Sequence, residues 1–131
     1  MEVQIVISEG FESQLVNEGQ TLNKVVSPTL VLGARVIPTA LSFSLSVFVA
    51  NFEDITSFEL GLKVINLKTD DVVFELPNTD VQLDPKMNSV NMNADLRNVF
   101  IANAGAFKAV ATIDGMEYSQ KFFVVETDVS K

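Results

Sequence analysis

The sequence predicts an all-β chain folded as an antiparallel sandwich of about seven to nine strands. Three observations predict it. Apolar and polar residues alternate with a period of two along most of the 131 residues. Turn-forming residues interrupt these runs every ten or so positions. Near the C-terminus, Asn103-x-Gly105-x-Phe107-x-Ala109 is followed by an Asp114-Gly115 pair, a corner and then a hairpin.

Taken in order, Val3, Ile5 and Ile7 alternate with Glu2, Gln4 and Val6, which places one row in a core and the other towards solvent. Asn17-Glu18-Gly19-Gln20 reads as a hairpin or loop. Residues 25–38 are apolar without a clean period, and Pro28 and Pro38 bound a strand or irregular edge segment there. Leu41, Phe43, Leu45, Val47 and Val49 alternate with Ser42, Ser44, Ser46 and Phe48; Phe58, Leu60, Leu62 and Val64 alternate with Glu59, Gly61 and Lys63. Lys68-Thr69-Asp70-Asp71 separates the latter strand from Val72-Val73-Phe74. Leu76-Pro77-Asn78 and Asp84-Pro85-Lys86 are expected to end strands, because proline cannot donate to a central ladder.

Leu96, Val99 and Phe100 have helical spacing, with Asn93 as a cap, and predict at most one short helical turn near residues 95–102. Beyond it, Asp114-Gly115 lies between two alternating runs. That dipeptide favours a type I′ turn, which needs positive φ at both central positions.

Residues 96–109 resemble the end of strand E, the E–F corner and strand F of immunoglobulin-like domains. In that family an Asp, a Gly and a Tyr precede the second Cys; here Asn103, Gly105, Phe107 and Ala109 stand at those places. Phe107 lacks the hydroxyl of the tyrosine corner, so ring packing alone remains. Ala109 cannot form the inter-sheet disulfide, and no Trp exists to pack on it. The alternating strand, acidic turn and closing hairpin also resemble small uncharacterised bacterial Ig-like proteins. The resemblance implies one domain over residues 1–131 and no particular activity.

Composition narrows the chemistry. Formal net charge is −8 and the nine basic residues are scattered, so nucleic acid and anionic membrane surfaces are not expected partners. There is no Cys and no His, which removes thiol nucleophiles, disulfides, imidazole bases and His-ligated metals. No run approaches the ~20 apolar residues of a membrane span. The short N-terminal apolar run lacks a basic flank and reads as a strand, so the expected location is the cytoplasm.

Acid pairs such as Asp70 with Asp71, Asp80 with Asp84, and Glu9 with Glu12 lie at turns, where solvent keeps both carboxylates ionised. Calcium is the one metal whose oxygen ligands are abundant, but EF-hand spacing is absent. No Gly-x-Ser-x-Gly elbow or phosphate-cradling loop appears. The expectation is therefore no catalytic residue, no metal and no cofactor.

Phe122-Phe123-Val124-Val125 and Val47-Phe48-Val49 are apolar on both sides of their strands. A sandwich covers one side of each sheet, so the other side calls for a partner chain. Phe48, Tyr118, Phe123 and Val125 are the expected interface residues, and a homo-oligomer the expected assembly. Tyr118, in phase with Phe122 and Val124, also fits a half-buried strand residue. The competing function is a domain that binds a small ligand, carbohydrate or calcium.

Overall fold

A computed structural model describes residues 1–17, 20–52, 55–84 and 88–127, and their side chains outside 10–27. Nine strands run through the described residues: β1 (Glu2–Asn17), β2 (Gln20–Pro28), β3 (Val31–Ala34), β4 (Thr39–Ala50), β5 (Ser57–Asn66), β6 (Asp71–Gln82), β7 (Ser89–Ile101), β8 (Gly105–Ile113) and β9 (Met116–Glu126). They form a four-stranded sheet, β2-β1-β4-β7, and a five-stranded sheet, β3-β9-β8-β5-β6. Every pairing is antiparallel except β3 with β9.

The period of two does what it predicts on the central strands. Phe43, Leu45, Val47 and Val49 of β4 are buried, as are Phe58, Leu60, Leu62 and Val64 of β5. Phe107, fully buried, stacks on Phe122 with ring centroids 5.8 Å apart; Phe122 in turn meets Phe43 of the other sheet at 5.7 Å. This aromatic trio joins the two layers, and such pairs add to what burial alone contributes.

The pairing order is that of an immunoglobulin-like sandwich. β1, β4 and β7 take the places of strands A, B and E; β5, β6, β8 and β9 those of C, C′, F and G. The chain crosses between sheets after its first strand. Residues 2–8 pair with β4 in one sheet, and β3 pairs with β9 in the other. At the crossing, the Thr29 amide donates to Ile7 O and the Phe123 amide to Leu30 O, so adjacent residues hold on to opposite layers. The β1–β2 hairpin is inserted at this crossing. Beyond Ser8, β1 pairs with β2 alone.

Two expectations are corrected. Residues 95–102 contain no helical turn: through Ile101 they belong to β7. Arg97 and Asn98 together face the single residue Ser42, because the register steps from Phe43↔Leu96 to Leu41↔Val99. Asn98 has φ 55°, and its amide donates to Ser42 Oγ at 3.0 Å. This β-bulge adds one residue and sets Leu96 and Val99 three apart on the same inward face, which imitates helical spacing. Phe100 points outward and is exposed. Nor does Pro77 end a strand; it lies within β6. There β6 is an edge strand, and Pro77 and Asn78 bulge opposite Gly61, between the pairs Leu60↔Thr79 and Leu62↔Leu76. An edge and a bulge are where a ladder tolerates proline.

The expected turn at Asn17-Glu18-Gly19-Gln20 falls between β1 and β2, with Glu18 and Gly19 outside the described residues, as are Pro85 and Lys86. Asp114 (φ 49°) and Gly115 (φ 86°) join β8 to β9 with positive φ at both positions, as a type I′ turn requires. The Ile37–Pro38 peptide is cis.

Candidate interaction surface

The last strand is apolar on two sides because its sheet is covered on one. Phe122 and Val124 point into the core; Phe123 and Val125 point out and are 42% and 38% exposed. The parallel pairing of β3 with β9 sets Val31 beside Phe123 and Gly33 beside Val125. Val31 is 49% exposed and Leu30, just before it, 53%. Two chain segments far apart in sequence thus place Val31, Phe123 and Val125 together on the outer face at one margin of the five-stranded sheet, while Leu30 opens onto the seam between β1 and β9.

Lysines border this apolar margin. Lys121 lies directly across from Lys108, and Val110, next on the same side of β8, is in register with Lys63 of β5. Like charges placed opposite one another on a sheet repel. Among the described residues, none of the three has a carboxylate at ion-pair distance. Glu75 lies in register with Lys63 across the β5–β6 ladder, and Glu59 and Glu117 share the outer side, so this face is apolar at its β3–β9 margin and mixed in charge beyond it.

Phe48 lies elsewhere. It is half-buried on the outer face of the four-stranded sheet, in register with Gln4 and Asn91. Phe48 and Phe123 therefore occupy opposite outer faces of the sandwich and cannot form one patch. Tyr118 is half-buried and packs against the core, on the opposite side of β9 from Phe123. Sequence reasoning missed Val31. Its neighbourhood with Phe123 comes from the β3–β9 pairing, which no local pattern signals.

Around Phe48 the four-stranded sheet is polar. Ser44 Oγ donates to Asp95 Oδ1 at 2.5 Å, and Ser46 Oγ to Asn93 Oδ1 at 2.6 Å; both serines are fully buried. The Ser44 hydroxyl, opposed by partial desolvation and aided by Arg97 at 3.1 Å, holds the Asp95 carboxyl below its ordinary range. These are cross-strand pairs between β4 and β7, in register as Ser44↔Asp95 and Ser46↔Asn93, and they account for the polar side of β4.

The corner residues fall where expected. Gly105 has φ 134°, a conformation that suits glycine. Asn103 Oδ1 accepts from Asn66 Nδ2, and Asn103 Nδ2 donates to Ala104 O.

Concavities on the surface are open. A groove of about 500 Å³ follows the seam between β1 and β9, lined by Gln4, Ile5, Val6, Ile7, Pro28, Thr29, Leu30 and Gln120, without a charged side chain. Among the described residues, no group of three or more Asp or Glu side chains gathers to hold a cation.

No protein-family model matches the chain, and no curated protein matches it in sequence. Among solved structures, it is similar to an immunoglobulin-like protein from Pseudomonas aeruginosa. The two are 10% identical over 93% of this chain and 97% of the other, with a TM-score of 0.45.

Proposed function

We propose that the domain is a non-catalytic association module that binds copies of itself through the outer face of the five-stranded sheet, at the β3–β9 margin. One observation supports this reading: Val31, Phe123 and Val125 lie together as an exposed apolar patch beside Lys108 and Lys121. Contiguous exposed apolar patches mark interaction sites. In a two-fold contact the patch meets its own copy, so apolar burial and not charge drives the association.

The test is Phe123→Glu, with mass followed by light scattering coupled to size exclusion and strand content by circular dichroism. The expected result is a lower mass with strand content unchanged. Val125→Glu serves as the second variant should Phe123→Glu unfold. A folded variant whose mass equals that of the unmodified chain would sink the reading.

A further inference from the structure

A strand edge left open is a template for another chain, and natural sheets blunt such edges with proline, bulges, charge or shortness. Three of the four edges here are blunted. β3 has four residues. β6 carries Pro77, Asp71, Glu75 and Asp80 and two register shifts. β7 carries the Arg97–Asn98 bulge and the exposed Arg97–Asp95 ion pair.

β2 is different. It offers nine residues, Gln20–Pro28, on the outside of the four-stranded sheet. Lys24 is its one charged residue, and its proline is the last position. The irregularity of the β1–β2 ladder falls between Leu15 and Asn17, on the β1 strand.

The strand it pairs with adds a second argument. After Ser8, β1 has left β4 and pairs with β2 alone, so residues 9–17 and 20–28 form a two-stranded ribbon of roughly 30 Å at ~3.3 Å per residue. A lone two-stranded ribbon is at best marginal in water, and a third strand is what makes one stable.

We infer that β2 pairs antiparallel with β2 of a second copy about a two-fold axis, so that two ribbons merge into one of four strands. An antiparallel edge is its own complement under such an axis, which no parallel arrangement would allow. Because the partners run in opposite directions, the two Pro28 ends, and with them the two sandwiches, lie at opposite ends of the merged ribbon. This contact uses a different surface from the Phe123 face and stands without it.

The absence of cysteine makes the test direct. Cysteine is placed singly at Thr21, Leu22, Asn23, Lys24, Val25 and Val26, with Asp80→Cys on the β6 edge as the control, and each purified full-length variant is oxidised in air. Antiparallel residues directly opposite have Cα atoms about 4.5–5.5 Å apart, within disulfide reach. A residue meets its own copy only near the two-fold axis. The expected result is covalent dimer concentrated at one residue or two neighbours and falling off on both sides, from a chain whose mass in solution is that of a dimer or larger. Adding Phe123→Glu should leave this crosslink in place, which separates this contact from the outer-face reading. Crosslinking at every β2 position no greater than at the Asp80→Cys control would overturn the inference, as would the mass of a single chain.

Discussion

Asn66, at the end of β5, donates from Nδ2 to Oδ1 of Asn103, 2.9 Å away in the corner between β7 and β8. Asn66 is almost fully buried, and its own Oδ1 accepts from the Lys68 amide at 3.0 Å. The pair links the β5–β6 turn to the corner between β7 and β8. Removing Asn103 leaves the buried Asn66 amide short of a bond, which costs about 1–3 kcal/mol. Asn103→Ala is therefore expected to lower unfolding free energy by that amount in urea. The double variant Asn66→Ala/Asn103→Ala should cost less than the sum of the singles, and strict additivity would show that the two side chains are not coupled.

At the bulge in β7, Asn98 adopts a left-handed backbone with φ 55°. Asparagine tolerates this and β-branched residues do not. Asn98→Val should cost about 1–2 kcal/mol, while Asn98→Gly should be close to neutral. Equal melting temperatures for the two would mean that the bulge does not hold this conformation in solution.

Across the same ladder, Asp95 is held ionised by Ser44 and Arg97. Its folded pKa lies below the unfolded one, so its contribution is present above the unfolded value and disappears as pH falls through the folded value. The unmodified chain should therefore be more stable than Asp95→Asn near neutrality. That difference should shrink below about pH 4, the ordinary aspartate range. Melting temperatures of both proteins across the acid range give the answer; a difference independent of pH would refute the linkage.

The hairpin at Asp114 and Gly115 separates conformational from bonding effects. Gly115 has φ 86° and open space around a would-be Cβ, so Gly115→Ala should cost about 1–2 kcal/mol from backbone strain alone. Asp114 Oδ1 accepts from the Glu59 amide at 2.9 Å. Asp114→Gly keeps the turn and loses that exposed bond, and should cost about 0.5–1.5 kcal/mol. Chemical denaturation ranks the two.

In the core, Phe107→Ala removes the ring that stacks on Phe122 and should cost about 3–5 kcal/mol. A loss below ~1 kcal/mol, the range of ordinary surface changes, would mean that Phe107 is not central to the core.

The central strands were legible because each has one face on the core, so the apolar rows of β4 and β5 were found; the serine row of β4 did not go to solvent, because Ser44 and Ser46 are covered and bonded to Asp95 and Asn93. The β8–β9 hairpin was legible because positive φ at two adjacent positions is a local demand with a local signature. The corner at Asn103 and Gly105 was found for the same reason. Three features were not legible. The bulge at Arg97 and Asn98 shifted the phase of β7 and imitated a helix. Pro77 reads as a strand end because its own residue gives no sign that β6 lies at an edge. And the separation of Phe48 from Phe123 is a matter of which sheet each strand joins, which period cannot tell; for the same reason Val31 was not linked to Phe123.

The hairpin of β1 and β2 leaves the body where the chain would in any case change layers, with Thr29 fastened to one side and Leu30 to the other. Both anchors sit outside the ribbon. Its length and composition can change without disturbing the register of any strand in the body. The site is thus a natural graft point, at which the appendage can vary while the scaffold stays fixed.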